Sequence, residues 1–234
     1  MPGASGRAPP APDAVRHPRE LAPLIDHTLL RPGAGEREVE RWCEEALRHG
    51  FAGVCVRPVH LPLAVRLLAG SAVLPVAVAD FPRGEGAPAG RLREVAEAAA
   101  AGAREVDVVA PLAALHRADW AAVERDLAAL VRAAGGAALK VILETCLLSP
   151  ERMAAGAAVA AAAGAAFVKT STGFSTGGAT AEAVRVLREV VGPGVGVKAS
   201  GGIRTAADAL RMVRAGASRL GTSASVALVG AEGF

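Results

Sequence analysis

Residues 165–202 read AAFVKTSTGFSTGGATAEAVRVLREVVGPGVGVKASGG. Two short apolar runs, Phe167–Thr170 and Gly196–Ala199, flank Ala181–Val191, where Ala, Val and Leu recur at helical spacing among Glu and Arg. Runs this short are not helices, and they lack the polar alternation of a half-exposed strand. They read as strands buried on both faces. A buried strand, an amphipathic helix and a second buried strand make one crossover unit of parallel sheet.

The unit recurs outward in both directions. Upstream strands are expected at Leu24–His27, Gly53–Val56, Leu74–Ala79, Glu105–Val109 and Leu139–Glu144, and a last one downstream at Arg219–Thr222. Helical patterns follow, among them Arg91–Ala101, Trp120–Ala134, Pro150–Ala163 and Ala206–Ala215. Eight such units in 234 residues predict an α/β fold of one TIM (β/α)8 barrel, which spans about 250 residues as a single domain. The barrel is expected over residues 20–234. The Pro/Ala/Gly-rich stretch Met1–Arg19 is expected to be a disordered extension. An open doubly wound sheet is the alternative, but no Gly-rich fingerprint or acidic ribose ligand follows the first strand.

Bulk composition narrows the function classes. Hydrophobic residues are 52% of the chain, enough for a large core. The net charge of +3 comes from dispersed Arg, aromatics are 3% and Tyr is absent, so no nucleic-acid surface is expected. Cys43, Cys55 and Cys146 are far apart with no CxxC spacing, which suggests neither a disulfide framework nor zinc, and fits a reducing cytoplasm. No apolar run has membrane-spanning character, and the N-terminus lacks the form of a secretory signal. No metal or other cofactor is expected.

Lysine usage points to the chemistry. Of 26 basic residues only Lys140, Lys169 and Lys198 are lysine. Arg stays charged, whereas a desolvated Lys can lose its proton and attack a carbonyl. Lys169 and Lys198 close the apolar runs of consecutive strands, at the barrel end where catalytic groups gather. Burial and mutual repulsion lower a lysine pKa, giving one nucleophilic amine and one retained cation. Asp107, flanked by Val106 and Val108, needs a buried partner, and Lys198 is the expected one. Asp26 and Thr28 top the first strand, where they would reach a substrate hydroxyl. His27 beside them is equally a packed or a capping residue. Cys55 is expected as a small wall residue near the site and not as a nucleophile. Glu144 is expected behind the substrate contacts, and Lys140 as a structural residue at the opposite end of the barrel. Gly-rich and hydroxyl-rich loops follow the last strands, at 171–178, 200–202 and 221–223. Their exposed N–H groups suit a phosphate.

These residues resemble deoxyribose-phosphate aldolase, a Schiff-base (class I) aldolase family, over nearly all of Leu24–Val229. The resemblance is carried by Ile25-Asp26-His27-Thr28-Leu29-Leu30, Val54-Cys55-Val56-Arg57-Pro58 and Glu105-Val106-Asp107-Val108-Val109. It continues in Phe167-Val168-Lys169-Thr170-Ser171-Thr172-Gly173-Phe174 and Gly196-Val197-Lys198-Ala199-Ser200-Gly201-Gly202-Ile203-Arg204. It implies reversible cleavage of 2-deoxy-D-ribose 5-phosphate to D-glyceraldehyde 3-phosphate and acetaldehyde, in deoxyribose phosphate catabolism. Lys169 would form the imine, with Lys198 and Asp107 relaying protons. Asp26, Thr28 and Thr172 would hold hydroxyls, and Gly173, Gly201, Gly202 and Ser223 the phosphate. A homodimer is the implied assembly. Asp80 stands where the family pattern suggests Gly or Asn, and Ala224 where many members carry Ser. Phe174 takes the place of a Lys found in some members, which predicts a less basic phosphate pocket. A tyrosine proton relay known in some members has no counterpart in this Tyr-free sequence. Two other readings remain open from the residues alone: a catalytically silent sugar-phosphate-binding barrel, and a Schiff-base aldolase with a ketone donor.

Overall fold

Every strand of the chain is short, parallel to its neighbours and buried, so its backbone groups must find partners on both sides. Closure supplies them. In the computed structural model, which describes Ala8, Pro10, Ala11 and residues 14–234, eight strands form a closed barrel in chain order. They are β1 (Ile25–Leu29), β2 (Gly53–Val56), β3 (Leu74–Ala79), β4 (Glu105–Val109), β5 (Ala138–Ile142), β6 (Phe167–Lys169), β7 (Gly196–Ser200) and β8 (Arg219–Thr222). The last pairs with the first, Asp26 standing opposite Gly221. The expected TIM barrel is the observed fold.

Helices wrap the outside: α1 (Glu36–His49), α2 (Leu61–Leu67), α3 (Pro88–Ala100), α4 (Leu112–His116), α5 (Trp120–Ala133), α6 (Pro150–Ala162), α7 (Ala181–Val191), α8 (Ala206–Arg214) and α9 (Ser225–Val229). Their starts follow local chemistry. Asp119, Ser149, Thr180 and Thr205 each accept a hydrogen bond from a backbone N–H in the first turn, satisfying a donor the helix leaves unpaired. Pro88 and Pro150 open α3 and α6, where the missing N–H costs nothing.

Side chains alternate across each strand. Ile25 and Leu29 of β1, Val106 and Val108 of β4, and Val197 and Ala199 of β7 face outward into the core shared with the helices. The intervening residues face the barrel interior. On the β2–β3 side that interior is apolar, with Cys55, Val76 and Val78 packed against Leu30. On the side of β4 to β8 and β1 it holds Asp26, Glu105, Asp107, Lys140, Lys169, Lys198 and Arg219, all buried. Room for these long side chains comes from small neighbours. A Cβ on Gly196 would lie 2.1 Å from the Phe167 ring, which itself packs against Lys140 and Arg219.

Several boundaries differ from expectation by one to three residues, two of them for a clear local reason. The first strand starts at Ile25 because Pro18–Leu24 forms a 3-10 turn. The fifth ends at Ile142, since Glu144 adopts a left-handed conformation with φ 54°. Most of the extension expected over Met1–Arg19 lies outside the described residues. Its last residues are packed, with Val15 and Pro18 buried. Glu20 accepts hydrogen bonds from the Arg16 and His17 N–H groups. Buried side chains are thus found ahead of residue 20. No helix among the described residues is long and apolar enough to cross a membrane.

Candidate active site

Register places Lys169 directly beside Lys198, and alternation turns both inward. They meet at one carboxylate. Asp107 Oδ2 accepts from Lys169 Nζ at 2.8 Å and from Lys198 Nζ at 2.8 Å. Asp107 Oδ1 accepts from Lys140 at 2.8 Å. Lys198 reaches a second carboxylate, Asp26 Oδ2, at 2.5 Å.

The two upper lysines have different environments. Burial and the neighbouring Lys198 charge lower the Lys169 pKa, against the pull of Asp107. Burial acts on Lys198 too, but Asp107 and Asp26 outweigh it and hold its proton above the ordinary lysine range. Asp107 and Asp26 are held well below the usual carboxylate range, their burial being outweighed by the cations around them. Desolvation and like charge thus favour a neutral Lys169 next to a protonated Lys198.

Lys140 is not where it was expected. Its backbone lies one layer below Lys169, with Phe167 opposite it. Its side chain is fully buried and reaches the same Asp107 as the two upper lysines. It also contacts Glu105 Oε2 at 2.6 Å and Asp26 Oδ2 at 3.4 Å. Arg219 completes this lower layer, donating to Asp26 Oδ1 at 2.7 Å and to Glu105. Glu105 and Arg219 were missed in the sequence. One signal was present, because Glu105 lies two residues before Asp107 and must share its face.

Asp26 lies deeper than expected. Both its oxygens meet cations, and it is fully buried and not among the residues that line the cavity. Cys55 is likewise fully buried, among Leu30, Val76 and Val78, and forms no part of the cavity wall. Burial pushes its thiol up to about 11. His27 faces outward from β1. It stacks on Trp42 with ring centres 4.8 Å apart and bridges Glu45 and Ser225 at 2.9 Å each.

Above Lys169 a cavity of about 530 Å³ opens at the C-terminal ends of the strands. Lys169, Thr28, Thr172, Gly173, Gly201, Gly202 and Ser223 all line it. Thr172 is fixed from behind, as its Oγ1 donates to Glu144 at 2.6 Å and its N–H faces the same carboxylate. The loops after β6 and β7 pack backbone on backbone. A Cβ on Gly178 would lie 2.3 Å from the Gly201 carbonyl oxygen, so only glycine permits this approach. Among the described residues, the N–H groups of Gly173, Gly201, Gly202 and Ser223 donate to no other protein group. N–H groups left open at neighbouring strand ends are what an anion site requires. Phe174 sits at the rim, edge-on to Phe81 at 5.3 Å, and brings no charge. Arg31 and Arg204 line the same cavity, Arg31 paired there with Glu38.

Asp80, the departure after β3, has its own partners. It takes φ 47°, accepts from the Gly86 N–H at 3.0 Å and pairs with the buried Arg91. Arg91 also binds Asp126 and the Val109 carbonyl. The loop carrying Phe81 is thereby tied to α3, α5 and β4.

Comparison with known proteins gives the family and the fold. The model of the DeoC/LacD family aldolase matches residues 21–231. A deoxyribose-phosphate aldolase of Clostridium perfringens is 48% identical over 211 residues, covering 90% of this chain and 94% of that protein. One from Bacillus cytotoxicus is 50% identical over 210 residues, covering 89% and 94%. The tetrameric deoxyribose phosphate aldolase structure from Aeropyrum pernix superposes with a TM-score of 0.84 at 38% identity, covering 91% of this chain and 90% of that one.

Proposed function

The chain belongs to the DeoC/LacD family of aldolases, and from that premise we propose that it cleaves 2-deoxy-D-ribose 5-phosphate reversibly through an imine on Lys169. The observation that carries this reading is the placement of Lys169. It is the one lysine on the cavity wall, and it shares its single carboxylate oxygen with a second ammonium. Such an amine gives up its proton more readily than its neighbours and meets the substrate first.

In the open-chain sugar phosphate the Lys169 amine attacks the C1 aldehyde and water leaves, giving an iminium. A base removes the C3 hydroxyl proton, and the C2–C3 electron pair moves into the iminium. D-Glyceraldehyde 3-phosphate departs and an enamine stays on Lys169. Protonation of C2 and hydrolysis then release acetaldehyde. Asp107 Oδ2 touches both Lys169 and Lys198, so it is suited to pass a proton between them, with water completing the path to the substrate. No metal or organic cofactor enters this sequence. Thr28 and Thr172 orient the hydroxyls, and the cradle of Gly173, Gly201, Gly202 and Ser223 takes the phosphate. The reading includes a cytoplasmic homodimer acting in deoxyribonucleoside breakdown. Light scattering that finds only monomer would remove the dimer from it.

Borohydride added with acetaldehyde is expected to leave a reduced ethyl adduct on Lys169, mapped by mass spectrometry. An adduct absent altogether, or found only on Lys140, would sink the mechanism. So would turnover surviving in Lys169→Arg, which keeps the charge but cannot form the imine. A silent sugar-phosphate binder would bind the substrate and yield no adduct. A ketone-donor aldolase would trap dihydroxyacetone phosphate in preference to acetaldehyde.

A further inference from the structure

The barrel interior holds three carboxylates, Asp26, Glu105 and Asp107, against four basic groups, Lys140, Lys169, Lys198 and Arg219. They come from β1, β4, β5, β6, β7 and β8. The other two strands add no charge, since β3 contributes Val76 and Val78, and the Cys55 thiol of β2 is pushed up to about 11 by burial. Full ionisation would leave one positive charge without a carboxylate of its own in a buried cluster, an arrangement that burial disfavours. One proton must therefore be held weakly.

The contacts decide which. Lys140 meets all three carboxylates. Arg219 meets Asp26 and Glu105, and Lys198 meets Asp26 and Asp107. Lys169 meets Asp107 alone, through an oxygen that Lys198 also occupies. We propose that Lys140 is a positioning residue for the nucleophile: by occupying Asp107 Oδ1 and Glu105 from below, it supplies the surplus positive charge that the cluster sheds at Lys169. It does not line the cavity and acts through the carboxylates it shares with the upper lysines, Asp107 above all. The lower layer of Lys140, Glu105 and Arg219 thus sets the charge balance under which the upper layer works. In keeping with this, Lys140 and Arg219 hold their protons above their ordinary ranges, the carboxylates outweighing burial in each case.

This inference rests on imine formation at Lys169, and its test separates the two. The rate of borohydride-trapped adduct formation on Lys169 with acetaldehyde is measured against pH, and the midpoint of its acid limb is read. Lys140→Met removes the surplus charge, so Lys169 keeps its proton longer and the midpoint rises. Glu105→Gln adds to the surplus, and the midpoint falls. Each shift is expected to be about one to two pH units, the size of one buried charge acting over a few ångströms at an effective dielectric of about 20. The double variant restores the original balance and returns the midpoint to near its starting value. A purely structural lower layer would move both single variants in one direction, or neither, and either result overturns the proposal. Should Lys140→Met fail to fold, Glu105→Gln decides alone, because only a downward shift agrees. A normal enzyme that forms no adduct on Lys169 refutes the imine reading, and this inference with it. An adduct whose acid limb is indifferent to both substitutions refutes only the inference.

Discussion

Replacing Asp107 with Asn is the most informative single perturbation of this barrel. The carboxylate is fully buried and compensates three lysines, each at 2.8 Å. Asparagine keeps the shape and an accepting oxygen but removes the charge. Breaking a buried ion pair from one side costs about 3–5 kcal/mol, a large part of the roughly 5–15 kcal/mol that holds a domain folded. With a urea slope of about 3 kcal/mol/M, the upper end of the usual range as a domain of this size requires, the unfolding midpoint at neutral pH should fall by on the order of 1–2 M. The deficit should also depend on pH in one direction. Lys169 is already lowered in the normal protein, and without Asp107 it falls further while Lys198 loses part of its support. The unfolded chain then binds protons that the folded variant does not, from the depressed folded values up to the ordinary lysine value of 10.5. Stability of the variant therefore rises with pH across that window, by about 1.4 kcal/mol per pH unit for each such proton. Urea titrations at several pH values between 7 and 10 measure this. Chemistry should split in the same variant. Imine trapping on Lys169 persists and extends to lower pH, while turnover drops by about 10²–10⁴-fold for want of the proton relay. A deficit under about 1 kcal/mol, or one that does not change with pH, would refute the claim that Asp107 compensates these lysines.

Other consequences are simpler. Gly196→Ala drives a methyl into the Phe167 ring, which is packed against Lys140 and Arg219. It should cost about 1–3 kcal/mol, seen calorimetrically as a melting point lower by roughly 2–12 °C. Thr172→Val removes the hydroxyl held by Glu144 and should raise KM by about tenfold, the worth of roughly one well-placed hydrogen bond. An unchanged KM would remove Thr172 from substrate binding. A thiol reagent should modify Cys146 quickly in the folded protein, because Cys43 and Cys55 are buried. Both buried thiols are pushed up to about 11 by burial, and all three should react in denaturant. Rapid loss of the Cys55 thiol in the folded state would contradict its packing.

The barrel was legible in the sequence because its determinants are local. Each strand is a short apolar run, four of the helices start at a side-chain cap, and the alternation of strand and helix admits few topologies. Lys169 and Lys198 stood out for the same kind of reason, as lysines at the ends of buried strands in a chain whose basic residues are otherwise, Lys140 apart, all Arg. The contents of the barrel interior were another matter. Alternation shows that Asp26, Glu105, Asp107, Lys140 and Arg219 point inward, yet it does not show which of them meet, since β1, β4, β5 and β8 are brought together only by closure. A lysine side chain is long enough to cross a layer. Lys140, whose backbone lies below, therefore reaches the same carboxylate as Lys169, and Asp26 is bound by cations before any substrate arrives. Sequence alone determined the fold and singled out Lys169 and Lys198 as the candidate amines. Tertiary structure decided the charge balance around them, because Coulomb energy depends on distances that strand register and barrel closure set and that no local pattern records.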